Sequence, residues 1–254
     1  MLSPVGDTVA AKGRRGVTQA VSLHGVFEVL AWLVAIAAGW QVKQRYLRDD
    51  RLPIRIRAYP LYMIVVWVGA VAGALALGTL NLRLAGVAGL GRSIVGALVG
   101  GIVTAEAYKA MRGIRGSTGV VFVVPLALAV GIGRIGCFLA GLDDYTYGTP
   151  TQLPWGVDFG DGIARHPVQL YESFTMLAFA AVFLRLLRTQ PDAMIRWGFY
   201  LFALAYGGQR FLWEFLKPYP AVIGPLNLFH LASLFLVLYA LSMMRFAEPA
   251  HARP

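Results

Sequence analysis

Seven stretches of mostly apolar residues cover the greater part of this 254-residue chain, and they limit its fold more than any other feature. A helix of about 20 apolar residues spans the ~30 Å hydrocarbon core of a bilayer. The stretches lie at 23–42, 61–80, 86–107, 118–141, 168–187, 197–216 and 223–244. Charged residues make up only 14% of the chain, which argues against a soluble or a disordered protein. We therefore predict an all-α, polytopic membrane bundle of about seven transmembrane helices.

Lysine and arginine residues collect in alternate connecting segments, and segments rich in them usually stay in the cytoplasm. Fourteen of the 23 basic residues lie in segments 43–57, 109–115, 185–196 and 245–253. The connection 142–167 carries four aspartates instead. This bias predicts a cytoplasmic C-terminus and an outside N-terminus, with loop 142–167 also outside. It also accounts for most of the net charge of +10, so no nucleic-acid partner is expected.

The N-terminal segment gives a weaker signal for orientation. Lys12, Arg14 and Arg15 favour a cytoplasmic N-terminus, whereas most of the other basic residues predict an outside N-terminus. No apolar core of a cleavable signal peptide precedes the first stretch, so we expect that stretch to be retained. The predicted division is a polar N-terminal tail (1–21), a seven-span membrane domain (22–246) and a cytoplasmic tail (247–254).

Charged residues inside the apolar stretches are costly in a bilayer and are therefore expected to have partners. They are Glu28, Arg92, Glu106, Arg134, Glu172, Arg210 and Glu214. One interpretation is that they form ion pairs that stabilise the bundle, or extend from the helix ends to the membrane surface. The other is that some of them bind a substrate. Tyr206, Arg210 and Glu214 are spaced four apart and share one helical face. Arg210 and Glu214 then form either an internal ion pair or an arginine presented to an anionic headgroup and oriented by Glu214.

Two further segments combine polar residues with glycine or proline, the residue types that most affect backbone conformation. Arg134 lies in the glycine-rich stretch G-I-G-R-I-G (131–136), which predicts a glycine-lined notch with one cation at its floor. Cys137 follows it and is interpreted as a small packing residue. As the single cysteine, it excludes an intrachain disulfide and a cysteine metal cluster, and neither a metal nor a cofactor is expected.

The densest polar segment is R-H-P-V-Q-L-Y-E (165–172). Its proline fits the first turn of a helix, which would place Arg165 and His166 at a helix N-terminus, where anions bind. Gln169 and Glu172 would share a face of that helix. The alternative is an interfacial cap with an aromatic anchor.

These segments resemble the prolipoprotein diacylglyceryl transferase family. The resemblance rests on G-R-I-G-C-F-L-A-G (133–141), Y-G-T-P-T (147–151), P-W-G-V-D-F (154–159), R-H-P-V-Q-L-Y-E (165–172) and L-F-A-L-A-Y-G-G-Q-R-F-L-W-E-F (201–215). It implies a bacterial plasma-membrane enzyme that moves the diacylglyceryl group of phosphatidylglycerol to the lipobox cysteine thiol of a prolipoprotein and releases glycerol phosphate. Its partners would be that lipid, the signal peptide with its lipobox cysteine, and the membrane.

The resemblance also implies roles for individual residues. Arg134 and Arg210 would be the essential arginines near the phosphate, Tyr206 a functional tyrosine and Gly148 a required loop glycine. The attacking nucleophile is the substrate's own thiol, so the enzyme needs cations for the leaving phosphate and a proton acceptor. We take His166 and His24 as the candidate acceptors. We take Tyr206, Arg165, Gln169, Glu172, Gly148 and Glu214 as candidate substrate-binding residues.

The chain departs from the family pattern at several positions. Val95 stands where the pattern has histidine, and Cys137 and Ala140 stand where it has asparagine. These departures leave two alternatives open. One is a related phospholipid-dependent transferase with a different acceptor, and the other is a non-catalytic lipid-binding or lipid-transporting membrane protein.

Overall fold

The computed structural model describes the backbone of residues 5–47 and 60–246 and the side chains of residues 24–47 and 60–245. Seven α-helices dominate these described residues. They are α1 (Val5–Tyr46), α2 (Pro60–Leu84), α3 (Ile94–Arg112), α4 (Val120–Ala140), α5 (Val168–Thr189), α6 (Pro191–Glu214) and α7 (Leu228–Phe246). The predicted all-helical bundle is therefore confirmed, with two short hairpins as additions.

Six of these helices contain a span long and apolar enough to cross a membrane. The spans are His24–Tyr46, Pro60–Leu84, Ile94–Arg112, Val120–Asp144, Val168–Thr189 and Leu228–Arg245. The stretch predicted at 197–216 is helical, as α6, but it is not one of the six. Helix α6 carries four charged residues in a mostly apolar sequence: Asp192, Arg196, Arg210 and Glu214. Arg210 and Glu214 are buried inside the bundle, away from lipid, which allows the helix to carry them.

Helix α1 begins at Val5, inside the segment predicted to be a polar tail. The side chains of Lys12, Arg14 and Arg15 lie outside the described residues, as do Arg48, Arg51, Arg55 and Arg57 and the predicted C-terminal tail 247–254. The side of the membrane on which each terminus lies stays a prediction.

Glycine-mediated contact joins α2 to α3. A Cβ atom at Gly73 would overlap the carbonyl oxygen of Gly96, and one at Gly100 would overlap that of Gly69. Small residues allow two membrane helices to approach to backbone contact, where dispersion forces hold them together. The high glycine content of the third stretch thus serves close packing. Elsewhere α4 is central, since it packs against α1, α5 and α6.

The two ends of the bundle differ in their polar contacts. At one end, Arg188 donates to the hydroxyl of Tyr46 (2.9 Å), and Tyr62 shares a hydrogen bond with Thr118 (2.7 Å). Lys109 pairs with Glu106 there (2.8 Å), and Tyr239 donates to the same carboxylate. At the opposite end, Arg92 pairs with Glu28 across 3.4 Å.

Loop 142–167 folds over the Glu28 end of the bundle. It starts with a 3₁₀ turn (Gly141–Asp144) and contains a hairpin of β1 (Val157–Asp158) and β2 (Ala164–Arg165). The carboxylate of Asp158 accepts three backbone N–H groups of the hairpin turn. A second hairpin, β3 (Ala221–Ile223) with β4 (Leu226–Asn227), connects α6 to α7 at the same end. The two connections meet where Thr149 N–H donates to Leu216 (2.6 Å).

Candidate functional site

The carboxylate of Glu172 lies at the centre of a buried charged cluster. Nε of Arg134 forms an ion pair with it across 2.6 Å, and Nζ of Lys217 donates to it across 2.8 Å. Arg210 forms a third ion pair with the same carboxylate. The three cations come from α4, from α6 and from the turn that follows α6, and Glu172 lies in the first turns of α5. One carboxylate therefore joins three separate parts of the chain.

A second carboxylate extends this cluster. Arg210 also pairs with Glu214, one helical turn further along α6, across 3.1 Å. The side chain of Asn227 donates to the other oxygen of Glu214 (3.2 Å) and so links the cluster to the start of α7. The predicted Arg210–Glu214 pair is present, but Arg210 also contacts Glu172. Each charged residue that the sequence placed in a span has a partner.

The cluster is buried and carries excess positive charge. Arg134, Arg210, Lys217 and Glu172 are each at most 7% exposed. With Lys217 protonated, three cations share two directly paired carboxylates, so these five side chains together carry one excess positive charge. Buried charges are expensive unless paired, and the excess makes this region a strong attractor for an anion.

Polar side chains without partners adjoin the charged cluster. Tyr206 is fully buried one turn before Arg210, and its hydroxyl has no hydrogen-bond partner among the described residues. Gln169 lies one turn before Glu172 on the same buried face, as predicted, and both of its amide atoms also lack partners there. Unpaired buried polar groups cost roughly 1–3 kcal/mol each. A bound ligand that pairs with them would recover this cost.

An apolar cavity of about 450 Å³ lies between loop 142–167 and the α5–α6 pair. Its lining residues are Leu153, Trp155, His166, Tyr171, Phe174, Thr175, Trp213 and Leu216. The indole of Trp155 donates to the Tyr171 hydroxyl (2.8 Å), which ties the loop to α5. His166 therefore lines this cavity rather than the charged cluster, and its Nδ1 lacks a partner among the described residues.

Arg165 lies apart from Glu172. Its Nη1 donates to Asp161 (2.6 Å) and to the carbonyl of Ile163 (3.0 Å), and its guanidinium stacks over the ring of Tyr147. The hydrogen bond from Arg165 lowers the pKa of the Asp161 carboxyl below its usual value. Arg165 thus closes the β1–β2 hairpin, and helix α5 begins three residues later, at Val168.

Gly148 lies where the loop passes directly against the start of α5. A Cβ atom there would overlap the carbonyl oxygen of His166 and lie 2.8 Å from the side chain of Val168. The loop is held next to α5 at this point, because the backbone N–H of His166 donates to the carbonyl oxygen of Thr149 (3.1 Å). Only glycine permits this approach, which gives a physical basis for a glycine at this position.

Replacing Gly148 with alanine is expected to destabilise the protein by about 1–3 kcal/mol, because the loop must move away from α5. Protease cleavage within loop 142–167 should become faster, and thermal unfolding should shift down. Gly133→Ala is the matched control, since a Cβ there meets no atom within 4 Å. Equal stability of the two variants would contradict this packing argument.

His24 lies at the start of the α1 span, close to two side chains of the 133–144 region. Ligand atoms of His24, Cys137 and Asp144 all lie within 4.8 Å of one another. Nη1 of Arg134 is 3.8 Å from the sulfur of Cys137, so this group borders the charged cluster. Cys137 thus contacts functional candidates on two sides. Val95, at the position of the family's histidine, is buried in the apolar core.

Two members of the charged cluster were not predicted from the sequence, Lys217 and Asn227. The position of Lys217 could have indicated its place in the cluster. It follows Tyr206, Arg210 and Glu214, three residues after the last of them, which continues the same side of the chain. Burial lowers the pKa of Lys217 to about 8, with repulsion from Arg210 in the same direction and attraction to Glu172 opposing both. Asn227 lies in β4 and gave no periodic signal.

Comparison with known proteins gives one family and several relatives. The model of the family "Prolipoprotein diacylglyceryl transferase" matches residues 19–246. Similar proteins named phosphatidylglycerol–prolipoprotein diacylglyceryl transferase occur in Clostridium tetani (37% identical over 52% of this chain and 54% of the relative) and Geobacter sulfurreducens (36% over 46% and 45%). That of Photobacterium profundum is 30% identical over 65% of this chain and 54% of the relative.

The aligned region spans about half the length of these curated relatives. No solved structure matches this chain significantly.

Proposed function

This chain belongs to the prolipoprotein diacylglyceryl transferase family, and we propose that it moves the diacylglyceryl group of phosphatidylglycerol to the lipobox cysteine thiol of prolipoproteins. The released product is glycerol phosphate. We place the enzyme in the bacterial plasma membrane as a multi-pass protein. The six apolar spans support a membrane location, and the arginine and lysine bias supports an outside loop 142–167.

The observation that carries this proposal is the buried cluster around Glu172. Its one excess positive charge matches the single negative charge of a phosphodiester. Guanidinium groups bind phosphate oxygens through two parallel N–H donors, and Lys217 adds a compact third charge. Glu172 holds all three cations in place before the lipid arrives. Preorganised hydrogen-bond donors in a site that excludes water stabilise the negative charge that develops on the leaving phosphate.

The remaining residues supply positioning and access. The Tyr206 hydroxyl and the Gln169 amide, both without partners among the described residues, are proposed to bind the headgroup. The aromatic cavity next to His166 is proposed to take apolar substrate groups, with loop 142–167 as its cover. His166 and His24 remain the candidate proton acceptors, and His24 is the one linked to Arg134 through Cys137.

The proposal is tested with the purified protein in nanodiscs that contain phosphatidylglycerol. A synthetic lipobox peptide is added, and its mass is followed over time. The expected product is the peptide with a diacylglyceryl group in thioether linkage, together with glycerol phosphate. The matched control is the same peptide with serine in place of the lipobox cysteine, which should stay unmodified.

Other outcomes would favour the two alternatives. A lipid adduct on a different acceptor, with no thioether peptide, would favour a related transferase; the departures at Val95, Cys137 and Ala140 motivate this alternative. Phosphatidylglycerol that binds but is never consumed would favour a lipid-binding or transport protein. Complementation of a bacterial strain depleted of its own transferase provides a test in cells.

Binding of phosphatidylglycerol is expected to weaken as the pH rises through about 8, the pKa of Lys217. Below that pH the amine is protonated and the cluster has its excess positive charge; above it the amine is neutral and the excess is lost. At the short distances of this cluster, loss of one charge should weaken binding roughly tenfold. The measurement is lipid affinity in nanodiscs between pH 6.5 and 9.5.

Lys217→Arg is the matched variant for this pH dependence. Its guanidinium stays protonated throughout the range, so its affinity should stay level above pH 8. An equal decline in both proteins would show that another group titrates.

A further inference from the structure

The residues at the start of α7 bind each other through reciprocal hydrogen bonds. Oδ1 of Asn227 accepts the backbone N–H groups of Phe229 (2.9 Å) and His230 (3.0 Å), and Nδ1 of His230 accepts the backbone N–H of Asn227 (3.1 Å). This is the arrangement of a capping box, in which His230 takes the position that glutamate or glutamine usually occupies. Both side chains are at most 3% exposed, so these bonds form in the interior of the bundle.

The same turn of α7 contacts the charged cluster at two points. Nδ2 of Asn227 donates to Oε1 of Glu214 (3.2 Å), and the other oxygen of Glu214 pairs with Arg210 (3.1 Å). The guanidinium of Arg210 also lies over the ring of Phe229, with 5.3 Å between its central carbon and the ring centre. Such a cation is attracted to the face of the ring. The start of α7 therefore holds Arg210 directly through Phe229 and indirectly through Glu214.

The capping box is itself held by two neighbouring elements. The imidazole of His230 packs against α6, with its ring centre 4.2 Å from that of Phe215 and 5.1 Å from that of Phe211. Asn227 is the last residue of β4 and pairs with Ala221 of β3. The box thus joins the β3–β4 hairpin, α6 and α7 next to the charged cluster.

The orientation of the Arg210 guanidinium depends on where its carboxylate partners lie. Its two terminal nitrogens pair with Glu172 and Glu214, respectively. Its Nε has no hydrogen-bond partner in the described part of the chain and is available to a phosphate oxygen. A shift of Glu214 would rotate the guanidinium and redirect this donor. The amide of Asn227, which binds the other oxygen of Glu214, opposes that shift.

We propose that Asn227 and His230 are positioning residues of the transfer reaction, because their capping box fixes the contacts that orient the guanidinium of Arg210. This inference rests on the proposed function, in which Arg210 binds the phosphate. A donor stabilises developing charge only when it already points to the position of that charge. Neither residue touches the substrate. Asn227 carries no charge, so its replacement by another neutral residue leaves the charge of the cluster unchanged.

Replacing Asn227 with serine separates capping from positioning. A serine caps a helix about as well as asparagine, but its side chain lacks the amide that donates to Glu214. Thermal unfolding and phosphatidylglycerol affinity in nanodiscs should therefore stay close to those of the wild type. The maximal rate of lipobox-peptide modification should fall at least about tenfold, the scale of a small misplacement of a reacting group. A wild-type maximal rate in folded Asn227→Ser would overturn the proposal.

A pair of variants tests His230 in the same assay. His230→Gln restores an acceptor for the backbone N–H of Asn227 and should keep a rate close to that of the wild type. His230→Ala lacks this acceptor and should lose activity. Ser233→Ala is the matched control, because Ser233 lies one turn further along α7 and its buried hydroxyl has no hydrogen-bond partner among the residues described. Equal rates in His230→Gln and His230→Ala would overturn the role of the box.

Nuclear magnetic resonance of the Arg210 side chain gives a measurement that does not depend on activity. The full-length protein in nanodiscs carries ¹⁵N-labelled arginine, and the Nε–H signal of Arg210 is the one that Arg210→Lys removes. Because the ring of Phe229 shifts this signal, it should move in Asn227→Ser and His230→Ala and stay in place in Ser233→Ala. An unmoved signal in Asn227→Ser would overturn the inference. A moved signal, with no transfer by the wild-type protein under any condition, would support the orienting contacts and contradict the proposed function.

Discussion

Replacing Arg210 with alanine is expected to reduce diacylglyceryl transfer about 1,000-fold, the scale seen when a preset donor to a developing oxyanion is removed. Arg210 contacts both carboxylates of the cluster, and it lies one turn from Tyr206, whose hydroxyl has no hydrogen-bond partner in the part of the chain that the structure describes. Its loss removes one arm of the proposed phosphate clamp. Arg134→Ala removes the other arm and should have an effect of similar size.

The measurement is the initial rate of lipobox-peptide modification in phosphatidylglycerol nanodiscs, with thermal unfolding recorded for each variant. Arg210→Lys keeps the charge but loses the two-donor geometry, so its rate should fall between those of the wild type and Arg210→Ala. Arg188→Ala is the matched control, because this arginine binds the Tyr46 hydroxyl at the opposite end of the bundle. Full transfer by folded Arg134→Ala and Arg210→Ala would disprove the clamp.

Replacing Glu172 with alanine is expected to destabilise the protein by about 3–5 kcal/mol in phosphatidylcholine nanodiscs, because removing one partner leaves the others buried and uncompensated. Three cations contact this one carboxylate, and without it Arg210 keeps its ion pair with Glu214 while Arg134 and Lys217 lose their direct ion-pair partner. The free energy of unfolding is measured by titration with a denaturing detergent. In phosphatidylglycerol nanodiscs the loss should be smaller, since the phosphate replaces part of the missing negative charge.

Glu28→Ala provides the comparison for Glu172→Ala. Glu28 pairs with Arg92 across 3.4 Å, and the side chains are 42% and 72% exposed, respectively. Exposed ion pairs contribute at most about 1 kcal/mol, so this variant should remain close to the wild type in both lipids. If Glu172→Ala were as stable as Glu28→Ala, the central role of Glu172 in the cluster would be wrong.

The charged residues of the site could be chosen from the sequence, but their arrangement could not. Arg134, Glu172 and Arg210 stood out because ionisable residues inside apolar stretches need partners. The local spacing also predicted the Arg210–Glu214 pair, which is four residues apart. The pairing of Glu172 with Arg134 and Arg210 joins residues 38 positions apart in the chain, and no local pattern specifies such a contact.

Two histidines illustrate the same limit. His24 and His166 were predicted as candidate proton acceptors, and neither prediction specified which side chains would surround them. The packing of α1 against α4 places His24 beside Cys137, whereas loop 142–167 places His166 in the apolar cavity. Asp144, at the end of the 3₁₀ turn after α4, lies close to His24 and Cys137. These neighbours depend on how helices pack and how one loop folds.

The sequence by itself determined that this chain forms a bundle of apolar helices and which of its charges need partners. Both conclusions follow from the cost of placing backbone polar groups and charges in hydrocarbon, which acts on each segment separately. Tertiary structure alone decided that Glu172 contacts three cations, that Lys217 is one of them, and that His24, Cys137 and Asp144 meet near Arg134. The physical reason is that these contacts join distant segments, and only the packing of the helices brings those segments within bonding distance.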